Sequence, residues 1–367
     1  MDLDPLAEKS TAAVSIETAA SFPVAAVSRE LTVIVPAYNE QASIADTIRS
    51  LQAQTVPLKA VIVVDDCSTD GTGEVARSLG VTVLRPSSNT GSKAGAQNFA
   101  LSHVDSSFTM AIDADTALAP DAIERLLAVF NDPQVAAACG FVEPRYRRSL
   151  WERGRYVEYL LAFTFYKPIQ DFYGKPLISS GCFSAYRTEV LKACGGWSTQ
   201  TMAEDVDLTW RFYFAGHKVR FVPEAVCYPI EPHNFHFMRK QLRRWSHGFI
   251  QNVRVHWRSV LHVPYLRSTV AVALWDAVMA SFGYLVLVPL LALLFMNPLF
   301  VLAYVLDAPV VLIPVVMAAI GKRKLGEVLA SLPAFFILRT VNSVFILEAL
   351  WNELVLRRPL LVYEKGH

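Results

Sequence analysis

Between residues 31 and 140, short runs of apolar residues alternate with segments in which apolar residues recur every three or four positions. The runs predict strands that are buried on both faces, and the segments between them predict amphipathic helices. The predicted strands have the sequences LTVIVP, AVIVVDD, VTVLRP and FTMAIDAD. One helical face carries Ile44, Ile48 and Leu51, and another carries Ile123, Leu126, Leu127 and Phe130. This alternation predicts an α/β domain with a mostly parallel sheet and helices on both faces.

The chain after residue 269 has a different pattern, in which long apolar segments follow one another. Residues 270–296 and 299–320 are each long enough to cross the hydrocarbon core of a bilayer, which is about 30 Å thick, whereas a buried helical hairpin would be shorter. Residues 327–356 carry several polar and charged side chains, so they predict an interfacial helix or a helix that faces protein or water. Because the loop 321–324 and the tail 357–367 are basic, we expect two spans and one interfacial helix, with both basic segments on the cytoplasmic side. The alternative, a third span at residues 327–356, would put the basic tail outside.

These patterns divide the chain into four parts. They are a loosely ordered lead-in (residues 1–30), an α/β domain with membrane-interface elements (31–262), the membrane helices (263–356) and a basic cytoplasmic tail (357–367). The amino terminus MDLDPLAEKS has acidic residues where a secretory signal would need basic ones. We therefore expect a multi-pass membrane protein whose α/β domain lies on the cytoplasmic face.

The composition supports contact with lipid. Hydrophobic residues make up 53% of the chain and charged residues 18%, which is below the charged share of about 25% in soluble domains. The five cysteines form no CxxC pair, and their odd number argues against a disulfide framework and favours a reducing compartment. The net charge of +1 gives no sign of a nucleic-acid partner, and we expect none.

Polar and acidic side chains follow three of the predicted strands at the point where each strand ends. In open α/β sheets, ligands bind beyond the carboxyl ends of the strands. The candidate binding residues at these ends are Pro36, Tyr38, Glu40, Asp65, Asp66, Asp113 and Asp115. Asp113 and Asp115 point the same way along a strand, so their carboxylates predict a site for Mg²⁺ or Mn²⁺ beside a phosphate, with a solvated turn as the alternative.

Two further segments have charged residues at predicted helix starts. Lys93 lies where the sequence GSKAG opens a helix, a position that suits an electrostatic partner of phosphate groups. Thr201 and Glu204 have the spacing of a capping box, so Glu204 and Asp205 are expected in the first turn of a helix. This segment predicts either a well-capped helix without chemistry or a site in which Asp205 takes a proton from an attacking sugar hydroxyl.

Gln241, Arg244 and Trp245, in the sequence QLRRW, are expected on one face of a helix. An arginine can bind a diphosphate through two parallel hydrogen bonds, and an indole offers a flat surface to a pyranose ring. The alternative is an interfacial helix with a tryptophan anchor and basic neighbours, and the two roles are compatible.

Together, these segments resemble the processive family-2 glycosyltransferases, which include cellulose, chitin, hyaluronan and bacterial poly-N-acetylglucosamine synthases. The motifs, in family order, are VPAYNE (35–40), VVDDCSTDG (63–71), DAD (113–115), SGCFSAYR (180–187), AEDVDLTWR (203–211) and QLRRW (241–245). Each motif is weak alone, whereas their joint occurrence over roughly residues 31–250 is highly specific. Ala203 departs from the pattern, because many members have threonine before the Glu-Asp pair.

The resemblance implies a GT-A fold, a UDP-sugar donor, a divalent metal and inversion at the anomeric carbon. The residues that it assigns are Asp65 and Asp66 for the nucleotide, Asp113 and Asp115 for the diphosphate and the metal, Asp205 as the base beside Glu204, Gln241, Arg244 and Trp245 for the diphosphate and the acceptor end, and residues 181–184 for the acceptor wall.

The expected function is that of a membrane-anchored inverting glycosyltransferase that moves a sugar from a UDP-sugar to a saccharide hydroxyl, once or processively. The expected partners are the nucleotide sugar, a saccharide, lipid-linked or protein acceptor, and membrane lipid, and a homo-oligomer is compatible with the sequence. One alternative is transfer of a single sugar to polyprenyl phosphate or to a protein, which the lack of an apolar span before the α/β domain favours. Another is an inactive sugar-binding membrane scaffold, which the intact acids at the family positions disfavour.

Overall fold

The computed structural model of the chain describes residues 30–305 and 308–360, and within them eight strands form one mixed sheet. Almost all of the predicted lead-in and most of the predicted basic tail lie outside the described residues. The strands are β1 (Leu31–Ala37), β2 (Ala60–Asp65), β3 (Thr82–Leu84), β4 (Phe108–Ile112), β5 (Thr116–Leu118), β6 (Val135–Val142), β7 (Phe183–Arg187) and β8 (Lys218–Pro229). Their order across the sheet is β3-β2-β1-β4-β7-β6-β8-β5.

The first half of the sheet has the predicted parallel arrangement. Strand β1 pairs in parallel with β2 and β4, and β2 pairs in parallel with β3. The helices that follow these strands are α1 (Ile44–Gln52), α2 (Thr72–Ser78), α3 (Lys93–Leu101) and α4 (Ala122–Ala128). Both predicted apolar faces are buried against the sheet, including Ile48 of α1 and Leu126 of α4. Because β1, β2 and β4 run in parallel, the segments that follow them meet at one edge of the sheet.

The second half of the sheet is mixed. Strand β7 lies antiparallel between β4 and β6, while β8 is parallel to β6 and antiparallel to β5. Its helices are α5 (Leu150–Leu161), α6 (Lys167–Phe172), α7 (Thr188–Ala193), α8 (Glu204–Phe214) and α9 (Phe235–Leu261). A π-helical turn joins α5 to α6, and α5 begins at a complete capping box formed by Ser149 and Glu152.

Among the residues that the structure describes, two helices are long and apolar enough to cross a membrane, judged by length and composition, and both lie in the apolar part of the chain. Its helices are α10 (Leu266–Phe282), α11 (Val288–Leu294), α12 (Ala308–Gly321) and α13 (Leu325–Leu350). A π-helical turn joins α10 to α11, which gives a continuous helix of 29 residues, Leu266–Leu294. Another extends α13 to a helix of 31 residues, Leu325–Val355.

The segment predicted as a second span, residues 299–320, differs from a single long helix. It is divided between a 3₁₀ helix, Pro298–Val305, and the 14-residue helix α12, which contains Pro314. At about 1.5 Å per residue, α12 alone is shorter than the hydrocarbon core. Proline has no backbone N–H and disfavours the helical conformation of the residue before it, which weakens a long helix in this segment.

Helix α13 runs along the α/β domain and contacts it at both ends. Near its start, Glu327 accepts a hydrogen bond from Arg147 at 2.7 Å. In its middle it packs so closely on α5 that a Cβ at Gly154 would lie 2.8 Å from the Ala334 carbonyl oxygen. Beyond its end, Glu353 lies 2.9 Å from His247 of α9. The helix therefore faces protein at both ends and in its middle, while its placement relative to a membrane stays a prediction.

Candidate active site

The ammonium group of Lys93 joins carboxylates from two distant parts of the chain. Its Nζ lies 2.5 Å from Asp113 Oδ1 and 3.6 Å from Glu204 Oε1, and it donates a hydrogen bond to the Gly181 carbonyl oxygen at 3.0 Å. Lys93 is the first residue of α3, as predicted, and the Ser92 side chain caps that helix. Four of the segments that the sequence singled out thus meet at the carboxyl edge of the sheet.

The carboxylate of Asp205 lies beside this cluster. Its Oδ2 accepts a hydrogen bond from the Gly181 N–H at 2.9 Å, and its Oδ1 accepts one from the Val206 N–H at 2.9 Å. The pKa of Asp205 is raised to about 6, first by burial and then by the negative charge of Glu204, while Lys93 and the two N–H donors oppose the shift. A carboxylate with a pKa near neutrality is suited to accept a proton during a reaction.

The start of α8 is held differently from the predicted capping box. Glu204 and Asp205 do lie in the first turn, but the N-cap is Ala203 and no side chain caps the helix. A capping box needs its glutamate at the third helical position, whereas Glu204 occupies the first. Helix α9 holds the residues just before this turn, because Asn252 donates to the Ala203 carbonyl oxygen at 3.0 Å and Gln251 accepts from the Met202 N–H at 2.9 Å.

Asp113 and Asp115 follow β4 as predicted and concentrate negative charge. The pKa of Asp113 is raised, first by burial and then by the charges of Asp115 and Glu204, while Lys93 opposes the shift. A bound cation would offset this charge. Within residues 30–305 and 308–360, no group of three or more His, Cys, Asp and Glu side chains forms a metal site. Two carboxylates still fit Mg²⁺ or Mn²⁺, because such ions are commonly held by one or two carboxylates together with substrate phosphates.

Asp65 and Asp66 fasten the turns beside the cluster. The fully buried carboxylate of Asp65 accepts a hydrogen bond from the Ser68 N–H at 3.0 Å and pairs with Arg85. Asp66 accepts hydrogen bonds from the N–H and the hydroxyl of Thr90, both at 2.8 Å. These contacts fix the backbone of both turns. The sequence did not single out Arg85.

The loop after β1 is tied to the same turns. Pro36 pairs with Val64 inside the sheet, and the Glu40 N–H donates to the Thr72 hydroxyl at 2.7 Å. The Glu40 carboxylate accepts a hydrogen bond from Ser43 at 2.7 Å. Tyr38 is 40% exposed, so part of this residue lies at the surface.

Helix α9 carries the QLRRW segment, as predicted, and its residues sit on a buried arginine. Arg155 of α5 donates to Gln241 Oε1 at 2.6 Å, and its guanidinium carbon lies 4.5 Å from the centre of the Trp245 ring. Trp245 is 38% exposed, whereas Arg155 is fully buried. Arg244 lies on the same helix, next to Trp245. The arginine therefore supports the inner face of an indole whose outer face is open.

Glu231 connects this group to the acids after β4. It pairs with Arg155 at 3.5 Å and accepts hydrogen bonds from Tyr159 at 2.9 Å and from Gln241 at 3.4 Å. Its pKa is raised, mainly by burial and in part by the charge of Asp115, while Arg155 opposes the shift. The sequence analysis missed both Arg155 and Glu231. One sequence signal could have identified Arg155: it is an arginine on the buried side of an amphipathic helix. Because a buried charge is rarely unpaired, such a position predicts an acidic partner.

Comparison with known proteins identifies relatives over the α/β domain. The family model described as "Glycosyltransferase like family 2" matches residues 28–248. Curated poly-β-1,6-N-acetyl-D-glucosamine synthases of Staphylococcus epidermidis and Staphylococcus aureus are 26% identical over 223 residues, which cover 59% of this chain and 54% of each relative. The chain therefore spans about half the length of these curated relatives.

A solved structure extends the likeness in fold. A mannosyltransferase from Pyrobaculum calidifontis, in complex with GDP-Man and Mn²⁺, aligns with a TM-score of 0.58 at 21% identity. The alignment covers 89% of this chain and 87% of that one. The predicted class, a GT-A type sheet with helices on both faces followed by apolar helices, is confirmed.

Proposed function

The chain belongs to the glycosyltransferase-like family 2 proteins, and from that premise we propose that it transfers a sugar from a UDP-sugar to a saccharide hydroxyl with inversion. The observation that carries this proposal is the Asp205 carboxylate, which is held by the Gly181 N–H, has a raised pKa and lies beside the Lys93 cluster. The curated relatives are named as poly-N-acetylglucosamine synthases, which supports a saccharide acceptor.

In the proposed reaction, Asp205 accepts the proton of the acceptor hydroxyl while that oxygen attacks the anomeric carbon and UDP departs. Its pKa of about 6 leaves the carboxylate ionised at neutral pH and still basic enough to accept a proton. The hydrogen bond from the Gly181 N–H fixes the direction of Asp205 Oδ2. This close approach needs a glycine, because a Cβ at position 181 would lie only 2.8 Å from that oxygen. The glycine thus lets the backbone approach the base.

Charge on the departing diphosphate is offset by cations. Lys93 is one of these cations, because it contacts Asp113 and Glu204 beside the place proposed for the diphosphate. Asp113 and Asp115 would hold Mg²⁺ or Mn²⁺, which supplies electrostatic stabilisation of the diphosphate when bound.

The remaining proposed roles follow the two ends of the pocket. The nucleotide lies against the turns that Asp65 and Asp66 fasten, with Pro36, Tyr38 and Glu40 on the opposite side. The diphosphate and the acceptor end lie against Gln241, Arg244 and Trp245. The open face of Trp245, supported from below by Arg155, suits the face of a sugar ring.

Incubation of the purified full chain with a panel of radiolabelled UDP-sugars, followed by sizing of the product, tests the proposal. GDP-mannose is the comparison donor, because the similar solved structure holds GDP-Man. We expect transfer from one UDP-sugar that is lost on chelation of divalent cations. A ladder of products indicates repeated transfer, and a single addition to polyprenyl phosphate or a protein supports the alternative. Absence of transfer and of UDP release with every donor contradicts an enzymatic role.

The apolar helices suggest how the domain meets a membrane, and we infer two crossings with the domain on the cytoplasmic face. The helix Leu266–Leu294 begins in the domain core, where Leu266 is fully buried, and then becomes exposed, with Leu293 71% exposed. We assign the second crossing to the 3₁₀ helix Pro298–Val305 together with α12, since α12 alone is too short, and Lys324 of the following basic loop donates to Glu143 of the domain at 2.9 Å. We place α13 along the membrane boundary because both of its ends contact the domain, although its length and composition would also allow a crossing.

This topology predicts opposite accessibility for two positions. A cysteine at Asn297→Cys is expected to react with a membrane-impermeant maleimide on intact cells, since it lies at the far turn. A cysteine at Lys322→Cys is expected to react only after the membrane is permeabilised. The native cysteines, which all lie in the α/β domain, should stay protected in intact cells. Equal labelling of both variants in intact cells would contradict the two crossings.

The proposed base predicts a dependence of the reaction on pH. A protonated Asp205 cannot accept a proton, so kcat/KM should fall about ten-fold per pH unit below the pKa of about 6. Above that pKa the carboxylate is ionised and kcat/KM should be constant. The measurement is kcat/KM across this range, with UDP affinity as the control. A profile that stays flat through the acid range rules out Asp205 as the base.

Trp245→Ala is expected to impair the acceptor more than the donor. The substitution removes the open aromatic face while Gln241 keeps its hydrogen bond to Arg155. Loss of one stacked ring should raise the acceptor KM about ten-fold, corresponding to roughly 1–2 kcal/mol. A UDP titration beside a transfer assay checks this, and an equal loss of UDP affinity would speak against the assignment.

A further inference from the structure

The segment before the proposed base is fastened to α9 rather than capped by its own side chain. Gln251 of α9, which is 1% exposed, accepts the Met202 N–H, and Asn252 donates to Ala203. The two helices approach so closely that a Cβ at Gly248 would lie 2.6 Å from the Ala203 Cβ. The first turn of α8 therefore takes its position from α9.

Gln251 is in turn held by the carboxylate that ends the apolar helix Leu325–Val355. The Gln251 amide nitrogen donates to Glu353 Oε1 at 2.7 Å and to the Leu360 carbonyl oxygen at 2.9 Å. Glu353 is fully buried, and the same oxygen accepts a hydrogen bond from the Leu360 N–H at 3.1 Å and lies 2.9 Å from His247 Nδ1. Glu353 sits in a π-helical turn, a local distortion that is frequent at functional sites.

The chemistry of these groups fixes the orientation of the Gln251 amide. A carboxylate and a carbonyl can only accept hydrogen bonds, so the amide nitrogen must face Glu353 and Leu360. The amide oxygen then faces the Met202 N–H, which needs an acceptor. The Leu360 carbonyl oxygen and the Met202 N–H favour the same orientation, and the Glu353 carboxylate adds a second acceptor for the amide nitrogen. Without that acceptor, the Gln251 amide is held less firmly against the segment before α8.

We propose that Gln251 and Glu353 are positioning residues that connect the seating of the apolar helix on the domain to the placement of Asp205. This inference rests on the proposed role of Asp205 as the base. The contacts Glu353–Gln251–Met202 end three residues before that carboxylate. A shift of the base on the order of 1 Å is enough to cost about 100-fold in rate, so small changes in this contact have a measurable effect.

The test compares variants of the full chain in lipid nanodiscs by hydrogen–deuterium exchange and by kinetics. In Glu353→Leu the Met202 amide hydrogen should exchange about ten-fold faster, since Gln251, which accepts its hydrogen bond, loses its contact with Glu353. The value of kcat per UDP-binding site should fall about ten-fold, while the donor KM should change less than about two-fold. Gln251→Met, which is close in shape but lacks the amide, should reproduce both effects if Glu353→Leu fails to fold.

Two further variants separate positioning from general stability. Glu353→Gln keeps an acceptor oxygen and should restore kcat to within about three-fold of the wild type. Glu348→Gln removes a half-buried carboxylate from the same helix pair, where it binds Arg243 at 2.8 Å, and should change neither measurement.

The hydrogen–deuterium exchange measurement needs no UDP-sugar, so it tests the positioning contact independently of the proposed function. Unchanged exchange of Met202 in both Glu353→Leu and Gln251→Met overturns the inference, and so does faster exchange with an unchanged kcat. A loss of kcat that Glu353→Gln does not restore also overturns it. If the wild type transfers no sugar, the proposed function fails, and exchange alone decides whether the contact holds the segment.

Discussion

Asp205→Asn lowers the rate of sugar transfer by about 10²–10⁴-fold, which is the usual contribution of a general base. Asparagine keeps an oxygen that can accept the Gly181 or Val206 N–H, but it cannot take up a proton. UDP affinity should stay within a few-fold of the wild type, because the acids proposed to hold the nucleotide, Asp65 and Asp66, make their contacts with other segments. Single-turnover transfer and a UDP titration measure the two effects separately.

The matched control is Glu124→Gln, which removes an exposed carboxylate from α4 that accepts a hydrogen bond from Thr55. Its transfer rate should equal that of the wild type. Turnover by Asp205→Asn at more than a tenth of the wild-type rate would remove Asp205 from the role of base. In that case Glu204, which adjoins it and also faces Lys93, becomes the next residue to test.

Arg155→Met destabilises the fold by about 3–5 kcal/mol, since it removes one partner from a fully buried charge pair. Glu231 would remain buried without the cation that opposes its protonation. Gln241 and the inner face of Trp245 would lose their contacts as well. Thermal or denaturant unfolding of the full chain in detergent measures the effect, and the acceptor KM should rise in parallel.

A double variant and a neighbouring arginine test this account. Arg155→Met combined with Glu231→Gln removes both charges and should recover part of the lost stability. Arg153→Met changes an exposed arginine two positions earlier on the same helix and should have an effect of less than about 0.5 kcal/mol. Equal destabilisation by Arg153→Met would show that the loss does not come from the buried pair.

The parallel half of the fold was predictable because local patterns determine it. Strands β1, β2 and β4 are apolar on both faces, and the acids that follow them mark the edge where they end. The family that these motifs predicted is confirmed by the family match over residues 28–248. Position in a parallel sheet is enough to bring such strand ends together, so the Lys93–Asp113 contact agrees with the sequence prediction.

The contacts that the sequence did not reveal join distant residues. Arg155 and Gln241 are 86 positions apart, and His247 and Glu353 are 106 apart. The periodicity of apolar residues does not predict such pairs, because the two partners lie in different helical segments, each with its own pattern. The start of α8 illustrates the opposite error, since the spacing of Thr201 and Glu204 suggested a local cap, whereas no side chain caps the helix and contacts from α9 hold the residues before it.

The packing of α13 along the domain affects how a soluble form of the enzyme can be prepared. Val157 and Leu160 of α5 are covered by Val328 and Phe335, and Met238 and Leu242 of α9 are covered by Leu338 and Phe345. A shortened protein that stops after α9 would expose these side chains to water and is expected to aggregate. Retaining α13 while trimming only the turn near Asn297 keeps that cover in place.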